Sequence, residues 1–283
     1  MSAGPEPEAF LSGETGHVAG VRRRVWRTVA DRMLDLRLRA ATRDLDDLAQ
    51  AIPVRRVRVL SVYRPDSALV TRAVEELRDT RHRVSFALGS TGQPLPELTD
   101  ETDAAKLGGG KFQNLNALLT GAECDWLLVM DDDVTLPRRF LDRFIAICER
   151  FDLALAQPAQ TLTSHAAWRV TRRRGGSLAR ETRFVEIGPV TAFRKDAAAE
   201  LTPFPELRYG WGLDLHWASL AAERGWRLGI VDAVPVRHET APVASTYRHE
   251  DAIAEAREFL AARPFVNAAD AQETLVTHGT LER

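Results

Sequence analysis

The stretch that decides the fold is Asp125-Trp126-Leu127-Leu128-Val129-Met130-Asp131-Asp132-Asp133. Its apolar run has no polar alternation, which suits a central strand covered on both faces. The strand then ends on three adjacent carboxylates. Each charge repels its neighbours and is partly removed from water there, so something positive belongs between them. Carboxylate oxygens are hard ligands, which points to Mg²⁺ or Mn²⁺ held by few protein groups and completed by phosphate oxygens. Open α/β sheets also place their ligands at such strand ends. The simpler alternative is a solvated acidic turn capping the helix that follows, for which one aspartate suffices.

Working outward, Pro53 closes an amphipathic helix that begins near Val21. The alternating, β-branched run 57–63 then reads as a strand, 68–80 as a helix and 84–88 as a second strand, and this β-α-β start implies a parallel sheet. Pro94, Pro96 and the triple glycine Gly108-Gly109-Gly110 bracket a loop, expected to be mobile, that leads into a helix over 112–120. Beyond the aspartates, Pro137 is expected to open a helix that runs through Phe151, followed by a strand over 153–157. A basic loop, Arg172-Arg173-Arg174-Gly175-Gly176, precedes an expected strand over 184–187. A helix over 213–224, a strand over 228–231 and the segment 234–237 complete the pattern. The expected architecture is an α/β/α sandwich with a mixed, mainly parallel sheet over 53–247, an N-terminal extension over 1–52 and a helical tail over 248–283.

The N-terminal helix carries Val21, Val25, Val29, Met33 and Leu36 at spacings of four and three, with Arg22, Arg23, Arg24, Arg27, Arg32, Arg37 and Arg39 among them. Packing on the main domain with a solvated basic face is the favoured reading. Peripheral contact with an acidic membrane surface is the alternative. The 283 residues are 45% apolar and 28% charged, which supplies a sizeable core and excludes disorder as the main state. With 38 basic against 40 acidic residues, the balance argues against nucleic acid as a partner. Cys124 and Cys148 alone make neither a disulfide scaffold nor a zinc knuckle. No export signal is legible over 1–20 and no apolar run is long enough to cross a bilayer. The cytoplasm, or the inner face of the membrane for a peripherally bound protein, is therefore the expected location.

The sequence resembles the family 2 glycosyltransferases of the GT-A fold. Asp131-Asp132-Asp133 is similar to their DxD motif, and Lys111-Phe112-Gln113-Asn114-Leu115-Asn116 to their K-x-x-N-x-N helix start. Gly188-Pro189-Val190-Thr191-Ala192-Phe193-Arg194 and Tyr209-Gly210-Trp211-Gly212-Leu213-Asp214 are similar to their acceptor-side segments. The resemblance implies a nucleotide-sugar donor, a Mn²⁺ or Mg²⁺ cofactor, and an acceptor hydroxyl on a saccharide, a lipid-linked compound or a small molecule. It further implies that Asp131 and Asp132 contact the donor, that Asp131, Asp133 and His238 hold the metal, and that Asp214 is the base of an inverting transfer. Which of the three aspartates points where stays open, since Asp132-Asp133 would also serve.

The residue types suit that chemistry. A departing nucleoside diphosphate needs a divalent ion across its phosphates. An attacking hydroxyl needs a base within reach, and an ionised carboxylate at Asp214 serves, although the same residue reads equally as a helix cap. Trp211 offers a flat face to the acceptor, and Tyr63 could stack on the donor base. Lys111 at a helix head suits a phosphate. The loop 172–174 reads either as a lid or as a solvated run. Two positions depart from the family pattern: Leu213 stands where an acid is commoner, and Leu88-Gly89-Ser90-Thr91 lacks the usual base-binding aspartate.

Two other functions fit parts of the sequence. Asp131-Asp132-Asp133-Val134-Thr135 matches the D-x-D-x-T start of haloacid-dehalogenase-like phosphatases, whose first aspartate is a nucleophile. That reading leaves the strand-helix-strand start and the Lys111 helix without a role. A GT-A-like domain that binds without catalysis is the second.

Overall fold

The computed structural model describes residues 4–14, 20–121, 123–239 and 247–282. In chain order the elements are α1 (Val21–Leu38), α2 (Thr42–Ala51), β1 (Arg56–Tyr63), α3 (Ala68–Arg78), β2 (Arg83–Ser90), β3 (Thr102–Ala104) and α4 (Lys111–Leu118). They continue with β4 (Trp126–Met130), β5 (Val134–Thr135), α5 (Phe140–Arg150), β6 (Leu153–Gln160), β7 (Ala179–Thr182) and β8 (Val190–Arg194). The chain then forms α6 (Lys195–Leu201), α7 (Leu213–Arg224), β9 (Arg227–His238), α8 (His249–Leu260), α9 (Ala268–Ala271) and β10 (Thr274–His278).

The sheet order is β10-β7-β9-β6-β8-β4-β1-β2-β3, with β5 paired to β9 off that path. Along the path β7 and β8 run opposite to the other strands, so the sheet is mixed with one dominant direction. Helices cover both faces, and β4 shows why its run is unbroken. Trp126, Leu128 and Met130 pack with Phe140, Phe144 and Ile145 of α5 on one side. Leu127 and Val129 pack with Phe112 and Leu115 of α4 and Leu213 and Trp217 of α7 on the other. All five β4 residues are buried.

Several local expectations are corrected. The helix expected from Val21 toward Gln50 is broken by a 3₁₀ turn at Arg39–Ala41. α5 begins at Phe140 rather than Pro137, because Arg139 adopts a left-handed conformation with φ 57° just before it. The loop between Gly92 and Gly108 contains a 3₁₀ helix, Pro96–Glu101, and the edge strand β3. No strand forms over 184–187, where Phe184 and Val185 are buried while the chain turns. The strands here are β7 and β8. Polar-looking β7 reaches the interior because Arg180 is neutralised there by Asp232, Nε to Oδ2 2.8 Å and Nη2 to Oδ1 3.1 Å. Arg180 also donates to the carbonyls of Val170 (2.7 Å) and Arg172 (2.9 Å), while Ser177 and the Arg174 amide donate to Asp232.

α1 is oriented opposite to the favoured expectation. Its polar side faces the domain: buried Asp31 accepts from the amides of Leu162 (3.0 Å) and Thr163 (3.2 Å), and Arg27 donates to the Leu162 carbonyl (3.1 Å). Arg173 pairs with Asp35 at 2.7 Å. Within the loop 172–174, Arg173 is therefore buried under α1, while Arg174 stays exposed and anchors through its amide to Asp232. The apolar stripe of α1 faces outward.

Candidate active site

Two strand pairings assemble the site around the end of β4. The β4–β8 register sets Met130 opposite Val190, so the Asp131 amide donates to the Pro189 carbonyl at 2.8 Å and the segment before β8 lies beside the aspartates. The β5–β9 register sets Val134 opposite His238, which brings Asp133 to the imidazole: Oδ1 to Nε2 is 3.0 Å.

The three aspartates have three environments. Asp131 is half-buried and pairs with Lys111, Nζ to Oδ1 2.6 Å, while the same ammonium donates to the Ile187 carbonyl at 2.9 Å. Gly188 sits against this pair: a Cβ there would lie 2.7 Å from Asp131 Oδ2 and 3.1 Å from Lys111 Nζ, so a larger residue would displace the ends of these two side chains. Asp132 turns toward β1. It accepts from the Arg64 amide (2.9 Å), Nε (2.9 Å) and Nη2 (3.0 Å), and its carbonyl accepts from Ser67. Burial of Asp132 outweighs these bonds and holds its carboxyl above the ordinary range. For His238, burial opposes the charge, but Asp133, Asp131 and Glu186 together overcome it and raise its pKa.

Lys111 heads α4, where Gln113 accepts from the Gly110 amide (2.8 Å) and Asn114 clasps both backbone groups of Gly109 at 3.0 Å. Asn116 holds the Phe204 backbone through Oδ1 and Nδ2. The two asparagines thus fix the triple-glycine loop and the chain that leads to Trp211. Gly210 and Gly212, with φ of 78° and 82°, turn that chain into α7. Asp214 lies in the first turn of α7, with Gly212 at the cap position, so it is not the capping residue. Burial drives its carboxyl up to about 7 against the backbone N–H groups of Leu215 and Ile187, which favour the charge.

Glu186 was not singled out in the sequence, being read as part of a strand. It is a second acid in the site, partly buried: its withdrawal from water, with Asp214 nearby, pushes it to about 8 against the pull of His238 and Lys111. Gln160 donates to it at 2.9 Å and its amide donates to Gln157. The one available signal was a lone charge flanked by Phe184, Val185 and Ile187. Trp211 donates from its indole N–H to the Tyr247 hydroxyl at 3.1 Å and meets the His249 ring edge-on at 5.5 Å. Tyr63 stands apart. It is fully buried with Val70, Val74 and Leu98, and its hydroxyl bonds Thr102 (2.8 Å) and the Leu95 amide (3.2 Å), so it presents no face for stacking.

The structure thus brings Lys111, Asp131, Asp133, Asp214 and His238 together with Glu186, and ties Asp132 to Arg64. Among the described residues no three His, Cys, Asp or Glu side chains already form a metal cage. A carboxylate and an imidazole in contact, with Asp131 adding its field, nevertheless make a mixed oxygen–nitrogen donor set that fits Mn²⁺ or Mg²⁺ if phosphate oxygens complete the shell.

No protein-family model and no curated protein matches this sequence. Solved structures do. S. aureus TarS 1-349 in complex with UDP-GlcNAc is similar over 72% of this chain and 65% of its own, with 12% identity and a TM-score of 0.53. Mannosyltransferase PcManGT from Pyrobaculum calidifontis, in complex with GDP-Man and Mn²⁺, aligns over 72% of this chain and 64% of its own, with 16% identity and a TM-score of 0.48. GalNAc-T7 with UDP, GalNAc and Mn²⁺ aligns over 68% and 46%, with 12% identity and a TM-score of 0.47. The chain therefore spans less than two thirds of the length of each of these proteins. The fold is that of the GT-A type glycosyltransferases.

Proposed function

We propose that the protein is a metal-dependent, inverting glycosyltransferase of the family 2 type, moving a sugar from a nucleotide-sugar donor to an acceptor hydroxyl. The observation that carries this reading is a buried carboxylate, Asp214, with a pKa of about 7, placed beside Lys111 and the acidic end of β4 in a GT-A fold. A base poised near neutrality can be ionised yet still accept a proton as the new bond forms. Asp131, Asp133 and His238 would hold Mn²⁺ or Mg²⁺, which when bound neutralises charge on the departing nucleoside diphosphate.

In this reading Lys111 meets a donor phosphate and Asp131 contacts the donor directly. Asp132 acts at one remove, locking β1 to β4 through Arg64. Trp211, held by Tyr247, offers its ring to an acceptor that is a saccharide, a lipid-linked compound or a small molecule. Glu186, neutral near pH 7 with a value of about 8, lets Asp214 ionise without a second negative charge beside it. The domain division into 1–52, 53–247 and 248–283 belongs to the same proposal.

A panel of nucleotide sugars tested for thermal stabilisation with and without Mn²⁺ examines it. A donor at a hundred times its Kd stabilises by about 2.7 kcal/mol. The expected result is a rise in melting temperature with at least one sugar nucleotide in the presence of metal. A rise with simple phosphate mimics and with no sugar nucleotide would overturn the reading.

A further inference from the structure

Of the nine large apolar side chains exposed among the described residues, six lie on α1: Val21 (81% exposed), Val25, Trp26 (68%), Val29, Met33 and Leu36. At about 100° per residue they occupy one arc of about 140° on the helix. Arg22 and Arg32 fall within that arc and Arg37 at its edge, all exposed. The acids of α1 are directed elsewhere, Asp31 into the amides of Leu162 and Thr163 and Asp35 onto Arg173. An ordinary surface helix buries its apolar stripe and exposes its charges. Here the domain grips the polar side, Leu34 lies over Gly175, and the apolar, cationic side is presented outward.

We propose that α1 is an interfacial helix by which the protein docks on an anionic lipid bilayer. Apolar side chains with a bulky Trp on one face, bordered by arginines, are what the boundary between headgroups and acyl chains accepts. Acidic headgroups supply the complementary charge. No helix among the described residues is long and apolar enough to cross a membrane, so the contact lies at the surface. A second copy of the chain is the poorer occupant, because a symmetric pairing of two α1 faces brings Arg22, Arg32 and Arg37 of both copies together.

A cleft of about 290 Å³ opens between Arg24, Thr28 and Arg32 of α1 and Thr163, Arg237 and Glu239. Arg237 and Glu239 flank His238, so α1 lies beside the His238 side of the candidate site. The inference does not depend on the proposed activity, and its test involves no turnover.

The test is flotation of the full chain with equimolar phosphatidylglycerol–phosphatidylcholine vesicles and with phosphatidylcholine vesicles, at low and high salt. Binding to the anionic vesicles, weakened by salt as the Debye length shrinks from about 10 Å to about 3 Å, is expected. Val25→Asp/Val29→Asp should lower partitioning by at least about tenfold with unchanged circular dichroism and melting temperature, since both side chains are exposed. Arg22→Gln/Arg37→Gln should reduce binding to anionic vesicles while retaining the fold. Failure to float with anionic vesicles overturns the proposal, as does binding by Val25→Asp/Val29→Asp equal to wild type. A lipid-free dimer that this variant disperses, with no flotation, would assign the face to a second copy and equally overturn it.

Discussion

Replacing Asp214 by asparagine should trade activity for stability, and both sides can be worked from the structure. The carboxyl is raised from its ordinary 3.8 to about 7, mainly by burial. At 1.36 kcal/mol per pH unit, holding it ionised costs the folded chain up to about 4 kcal/mol. Between those two values the folded chain keeps a proton that the unfolded chain has released, so this group makes stability fall as pH rises through that window. Asparagine is nearly the same size, and its Oδ1 can still accept from the Leu215 amide without a charge. Asp214→Asn should therefore unfold at a higher denaturant concentration than wild type at pH 8, by up to about 4 kcal/mol, with the difference vanishing near pH 4. Its kcat should fall by roughly 10²- to 10⁴-fold, the usual contribution of general base catalysis, while donor affinity in Mn²⁺ stays within about twofold. The wild-type rate should lose about fivefold on the acid side between pH 7 and pH 6, since the ionised fraction of a base with a pKa of about 7 falls from about a half to about a tenth. Chemical denaturation at three pH values together with steady-state kinetics makes the measurement. A variant that keeps a tenth of the wild-type kcat, or that is less stable at pH 8, would refute the reasoning.

Other perturbations address the remaining parts. Asp133→Asn removes the partner of His238 and should abolish the Mn²⁺-dependent rise in melting temperature caused by the donor, read by thermal shift with the same sugar nucleotide. Gly188→Ala pushes a methyl group into the Lys111–Asp131 pair and should lower kcat/KM roughly ten- to a hundredfold with a near-normal melting temperature. Arg180→Ala strands Asp232 without its partner in the interior and should cost about 3–5 kcal/mol by urea unfolding, whereas Arg180→Met/Asp232→Leu should recover most of it.

What could be read from the sequence follows the physics of each element. β1, β4 and α7 were legible because continuous or alternating apolar runs bounded by turn residues have few other solutions. The aspartate triplet was legible because charge at the end of a buried strand is costly without purpose. β7 was not, since Ala-Arg-Glu-Thr reads as surface until Asp232, far away in sequence, is known to neutralise Arg180. The same applies to Glu186, whose place in the site depends on Gln157 and Gln160 of the central strand β6 meeting it. For α1 the periodicity revealed the two faces but not which one meets the domain. That choice rests on the carboxylate of Asp31 finding the amides after β6. Tyr63 was misplaced for a related reason: alternation along β1 does not say which face lies under the 3₁₀ helix that covers it.

The stereochemistry of the product tests the central claim most directly. With an active donor, Mn²⁺ and an acceptor, proton NMR should show one nucleoside diphosphate released per sugar transferred, with the anomeric configuration opposite to that of the donor. A product of retained configuration, or hydrolysis of simple phosphate esters with no sugar transferred from any nucleotide sugar, would contradict it.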